Sequence, residues 1–149
     1  MLTERRKTMA QRTTDDLQME LMTRADLQGF LQDNQAELVE PNMAKALQGL
    51  FATRQMTKAA LADEAHMSEV YLHQVFSGKR QLSRNRLLCV CFGLRASVDE
   101  AQKLLKSSGM APLYARSRRD AVILHGLAQG LTLYEVDNLL AREGLDPLG

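Results

Sequence analysis

Apolar residues in this chain recur at helical spacing, and the alternating runs of Val, Ile, Thr and aromatics that mark strands are missing. Met43, Ala46, Leu47, Leu50 and Phe51 fall at i, i+3, i+4, i+7 and i+8, which predicts a helix over 43–51. Pro41 suits the first turn of that helix. The stretch 57–78, TKAALADEAHMSEVYLHQVFSG, reads as two short helices joined by a tight turn. The first is expected over about 58–65 with Thr57 as N-cap, the second over about 69–76 with Ser68 as N-cap. Ala62 stands where a larger side chain would hold the two helices apart, and Met67 fills the corner between them. Leu72, Val75 and Phe76 give the second helix one apolar face, and Gly78 ends it.

Downstream, the pattern repeats. Residues 84–113 (RNRLLCVCFGLRASVDEAQKLLKSSGMAPL) align without gaps to 119–148 (RDAVILHGLAQGLTLYEVDNLLAREGLDPL), a period of 35 residues. Arg84/Arg119, Glu100/Glu135, Leu104/Leu139, Leu105/Leu140, Gly109/Gly144, Pro112/Pro147 and Leu113/Leu148 are identical. Ser97 and Thr132 each precede a Glu by three residues, a capping box in both copies. Each copy therefore reads as a helical hairpin closed by Gly-x-x-Pro-Leu. Such hairpins can pack on each other within one chain, enlarging the core, or between two chains, making a dimer; the first is favoured.

The N-terminal third is less regular. Residues 1–12 read as a disordered arm. Thr14, Asp15 and Asp16 open a short helix. Thr23 and Asp26 resemble a capping box that starts a second one, with Leu27, Phe30 and Leu31 on one face. Residues 33–40 read as a polar linker. The expected organisation is thus an arm (1–12), two short helices (13–40), a helical domain (41–113) and a C-terminal hairpin (114–149).

Composition agrees with an all-α fold: Trp is absent and only three Pro occur, while Leu, Ala, Met, Gln and Arg abound. No apolar run approaches the ~20 residues that span a bilayer. The basic N-terminus has no apolar segment of the kind a secretory signal carries. Cys89 and Cys91, two apart on one helix, point roughly 200° from each other, which disfavours a disulfide. A reduced, cytoplasmic, bacterial-type protein is the expectation. The net charge is only +1, but residues 1–50 carry −2 and residues 51–149 carry +3. The basic clusters are Lys79, Arg80, Arg84 and Arg86, then Arg116, Arg118 and Arg119. The first directly follows the 69–76 helix, where phosphate contacts would be expected. The second is expected to serve structure by pairing with Asp99 and Glu100, with Asp120 at a helix N-terminus.

The segment 41–107 resembles the lambda-repressor-like (Xre/Cro) helix-turn-helix family. Lys58, Leu61 and Ala62, the turn His66-Met67-Ser68, then Leu72, Val75 and Gly78 carry the resemblance, which continues through the basic loop 79–84 and the helix that follows. His66 departs from the Gly often found in that turn, although histidine tolerates the left-handed region better than a branched residue. The resemblance implies a lambda-repressor-like domain with two extra N-terminal helices and a duplicated C-terminal hairpin. It also implies a transcriptional regulator whose 68–76 helix enters the major groove of double-stranded DNA, with a homodimer serving two half-sites. Base edges would be met by Glu69 (cytosine N4), Val70 (a thymine methyl), His73 (guanine or phosphate) and Gln74 (adenine). Ser68 and the helix N-termini would hold phosphate, as would Lys58, Lys79, Arg80 and Arg84.

Against this stands the absence of Lys or Arg from 59 to 77, where Asp63, Glu64 and Glu69 are acidic. Uncompensated carboxylates weaken a phosphate-driven interface. Tyr71 and Leu72 beside Val70 also make that side apolar. The alternative is an adaptor that keeps the scaffold and uses this face, or the acidic N-terminal helices, to bind a protein partner. Enzymatic readings have little support. His66, His73 and His125 have no neighbours at metal-ligand spacing, no Gly-rich phosphate loop occurs, and no cofactor is expected.

Overall fold

A computed structural model of the chain describes residues 12–38 and 40–149. Among these residues there are nine α-helices and no strand. Two compact units divide the chain, one up to Glu40 and the other spanning Pro41–Gly149. The arm expected over 1–12 lies outside the described residues except for Arg12.

The first unit is a small pair of helices, α1 (Thr14–Thr23) and α2 (Leu27–Asp33). Polar contacts dominate it. Arg12 donates to Glu20 at 2.5 Å and to Asn34 at 2.7 Å, and Arg24 pairs with Glu20 and Asp33. Asn34 is buried and returns a bond to the Phe30 carbonyl. Several expectations need correction here. Thr13, not Thr14, caps α1, and the capping box is Thr13 with Asp16. Thr23 closes α1, its hydroxyl donating to the Met19 carbonyl, so it opens nothing. Asp26 precedes α2 without a side-chain cap. Phe30 is buried, whereas Leu27 and Leu31 are exposed. Arg12, expected in a disordered arm, is held by two side chains.

The second unit contains α3 (Met43–Ala52), α4 (Lys58–Glu64), α5 (Glu69–Phe76), α6 (Arg84–Gly93), α7 (Val98–Ser107), α8 (Arg118–Ala128) and α9 (Leu133–Arg142). Asn42 caps α3, so Pro41 lies just before the helix and not in its first turn. Helix α6 (RNRLLCVCFG) is buried from Leu87 to Gly93 without a break. A helix apolar around its whole circumference must be covered on every side. Accordingly α4, α7 and α9 all pack on it. Gly93 permits the α4 approach, because a Cβ there would lie 2.8 Å from Leu61 Cδ1. The expected boundary between 113 and 114 therefore falls inside one core. Cys89 and Cys91 are free and buried in it, and burial pushes their thiols up to about 11 and about 12.

Helices α4 to α9 all end alike. The residue after each C-cap takes a positive φ: His66, Gly78, Arg95, Gly109, Gly130 and Gly144. The next backbone N–H then reaches the carbonyl five residues earlier at 2.8–3.0 Å, as from Met67 to Ala62 and from Lys79 to Gln74. This closure satisfies carbonyls that the helix end would orphan. Arg95 and Gly130 occupy equivalent places in the two repeats, so the same turn forms with and without a side chain.

The arginines of 116–120 do not reach Asp99 or Glu100 as expected. Arg118 pairs with Glu143 at 2.6 Å, and Arg119 donates to Asn85 at 3.1 Å. Glu100 instead takes both amino groups of Arg54, at 2.6 and 3.1 Å. That guanidinium, helped by the Ser97 N–H, lowers the Glu100 carboxyl from 4.5 to about 2. A carboxyl depressed on folding contributes stability above pH 4.5 that is lost as pH falls towards 2. Glu100→Gln should therefore cost about 1–2 kcal/mol at pH 7, after discounting for solvent at this partly exposed pair. In urea melts, the gap between wild type and variant should close between pH 4.5 and pH 2.

Candidate nucleic-acid interface

Two helices and one turn build the site. Thr57 accepts from the Ala60 N–H at 3.0 Å to start α4, and Ser68 accepts from the Tyr71 N–H at 3.1 Å to start α5. His66 at φ 56° turns the chain between them. Ala62 is buried in the core, with Met67 partly buried against it. Leu72, Val75 and Phe76 point inward with almost no exposure, so Leu72, expected beside Val70, adds nothing apolar to the outer side. Gln48 of α3 donates to the Phe76 carbonyl at 2.6 Å and fixes the far end of α5.

What α5 turns outward is Glu69, Val70 and His73, with Gln74 half-buried beside them. Val70 is 69% exposed. His73 Nε2 lies 3.4 Å from Glu69 Oε1, one turn away on the same side. Val70, His73 and Gln74 line an open concavity of about 580 Å³ together with Lys58 and Lys79. Lys58 Nζ sits 5.2 Å from the centre of the Phe76 ring, which tethers it at the rim. Five of the nine residues expected at the site are thus brought to one depression.

Arg80 is placed with more definition than the sequence suggests. Its Nε donates to Gln74 Oε1 at 2.5 Å, and its guanidinium lies 5.4 Å from the Tyr71 ring centre. Arg86 approaches the same ring at 5.6 Å. Tyr71 therefore gathers two cations beside α5; Arg86 belongs to the basic cluster where phosphate contacts were expected, although it was not among the nine named site residues. The signal was Gly78: its positive φ sends the chain back along α5, so residue 80 returns to residues 71 and 74. The contact also alters Gln74. One lone pair of Oε1 is taken by Arg80, while the amide donors stay free. Pairing with adenine would use the remaining lone pair.

Arg84 is the correction. It was expected to hold phosphate, but it donates to the carbonyls of Ala111 and Pro112 and to both oxygens of Asp120, at 3.0–3.3 Å. Four of its five N–H donors go to the protein, where it joins the start of α6 to the second hairpin.

Asp63, Glu64 and Glu69 are all exposed; Glu69 lies beside His73 on α5, and Glu64 lines a separate depression with Arg54 and Arg95. Among the described residues, no group of three or more His, Cys, Asp or Glu could hold a metal ion, and no helix is long and apolar enough to cross a membrane. No protein-family model matches the chain, and searches of the curated proteins and of the solved structures return no match.

Tyr71→Leu keeps a buried apolar contact and removes the ring. We expect Arg80 and Arg86 side chains to become more mobile, read as lower order parameters at Nε, with a stability loss of about 1 kcal/mol or less.

Proposed function

We propose that this chain is a DNA-binding regulator of the lambda-repressor-like helix-turn-helix type, with α5 reading the major groove. The observation that carries the reading is the exposed outer side of α5, framed by Lys58, Lys79, Arg80 and Arg86. A helix presented this way, with cations at its rim, suits a groove whose walls are phosphate. Glu69, Val70, His73 and Gln74 are the base-facing side chains, and Ser68 with the N-terminal amides of α5 meets a phosphate. Arg86 takes the backbone role first expected of Arg84.

A second reading, an adaptor that binds a protein through the same face, draws on one feature: Val70 stands exposed on α5 next to the exposed carboxylate of Glu69.

Salt separates the two. Binding of the full chain to a mixed-sequence duplex, followed by fluorescence anisotropy, should be measurable at low salt and fall steeply as salt rises. Lys79→Ala should reduce the slope of log K against log salt by about 1, with affinity falling alike on all sequences. Arg84→Ala should leave the slope unchanged and lower the melting temperature instead. No binding at low salt, with wild type folded, removes the DNA-reading proposal and leaves the adaptor.

A further inference from the structure

The two repeats do more than resemble each other; they contact each other reciprocally. In the 35-residue register, α6 corresponds to α8 and α7 to α9. Helix α6 packs on α9, and the equivalent pair, α8 and α7, also packs. At the helix starts, Arg84 reaches Asp120 while Arg119 reaches Asn85, and these are the same two positions with the copies exchanged. At the helix ends, one cleft of about 220 Å³ is lined by Phe92 with Leu127, Arg95 with Gly130, and Ala96 with Leu131, each an equivalent pair. Helices α6 and α8 thus meet start to start and end to end, as a two-fold axis running along them requires. Within each copy the closing tie is also the same. Gln102 bonds the Leu113 backbone at 2.7 and 2.9 Å, and Asp137 bonds the Leu148 N–H at 2.7 Å.

Reciprocal contact between equivalent residues is the signature of an isologous interface, the kind that joins identical subunits in a two-fold dimer. We propose that the α6–α7 face is a self-recognition surface, that α8–α9 occupies it as a built-in second subunit, and that the α6–α7 hairpin of another molecule can take its place. The intact chain has that surface filled and brings one α5 per molecule to whatever it binds. Vacating the surface turns it into a homodimer contact. This inference stands independently of DNA reading.

The exchange is not chemically even, and the unevenness gives the test. Arg84 faces a carboxylate, whereas Arg119 faces the amide of Asn85 and leaves Nη2 without a partner. In the full chain, Asp120→Asn should lower the melting temperature by several degrees. Adding Asn85→Asp should restore most of the loss, because the charge-assisted bond moves to the equivalent place across the axis. No restoration overturns the reciprocal geometry. For self-recognition, a protease site is placed at the exposed 114–116 segment of the full chain, which is cut after folding and diluted until the C-terminal piece leaves. The 1–113 remainder should then sediment at twice its own mass, and Asn85→Asp should tighten that dimer about tenfold. A remainder that stays monomeric, or that unfolds without pairing, overturns the proposal.

Discussion

Everything in the second unit depends on the burial of α6. Its sequence offers no polar side from Leu87 to Gly93, so no part of it can face water at low cost. The chain meets this demand with three neighbours. Helix α4 comes close because residue 93 is Gly, α7 folds back through the turn at Arg95, and α9 arrives from the second repeat. The site is one consequence of that arrangement. Helix α4 is pressed on α6, and α5 packs on α4 and is held to α3 by Gln48. The outer side of α5 is what remains when every inner side has been used.

The same constraint accounts for the duplicated hairpin. A helical unit ending at 113 would leave one flank of α6 open, including the Phe92 ring that Gly126 allows close. Covering it with a copy of the same hairpin solves the problem with matching surfaces. Arg84 belongs to that solution. Its position in a basic run suggests phosphate, but the carbonyls of Ala111 and Pro112 and the carboxylate of Asp120 satisfy it first. A guanidinium beside a buried carboxylate is worth more to the fold than one reaching into solvent.

Much of this was legible in the chain. The caps at Thr57, Ser68, Ser97 and Thr132 appeared where short polar residues precede apolar periodicity, and both hairpin capping boxes formed. Gly78, Gly109, Gly130 and Gly144 mark helix ends because their conformation favours glycine. Arg95 gave no such signal, since a side chain there adopts a shape it normally avoids. The two N-terminal helices form where expected, but their caps differ because several Thr and Asp residues compete for them, and only Phe30 of the expected apolar face is buried. The Tyr71, Arg80 and Arg86 cluster was invisible for a different reason. It joins residues that only a reversed chain brings together; Gly78 marks the reversal, but spacing does not show which side chains then meet.

The central claim is that the outward side of α5 and its ring of cations form the working surface. Backbone amide NMR of the full chain, titrated with a short duplex at low salt, tests it most directly. Shift changes should concentrate at 68–74 and at Lys79, Arg80 and Arg86, with α7 and α9 unmoved. Changes confined to other helices, or none at all under conditions where the chain is folded, would contradict the account.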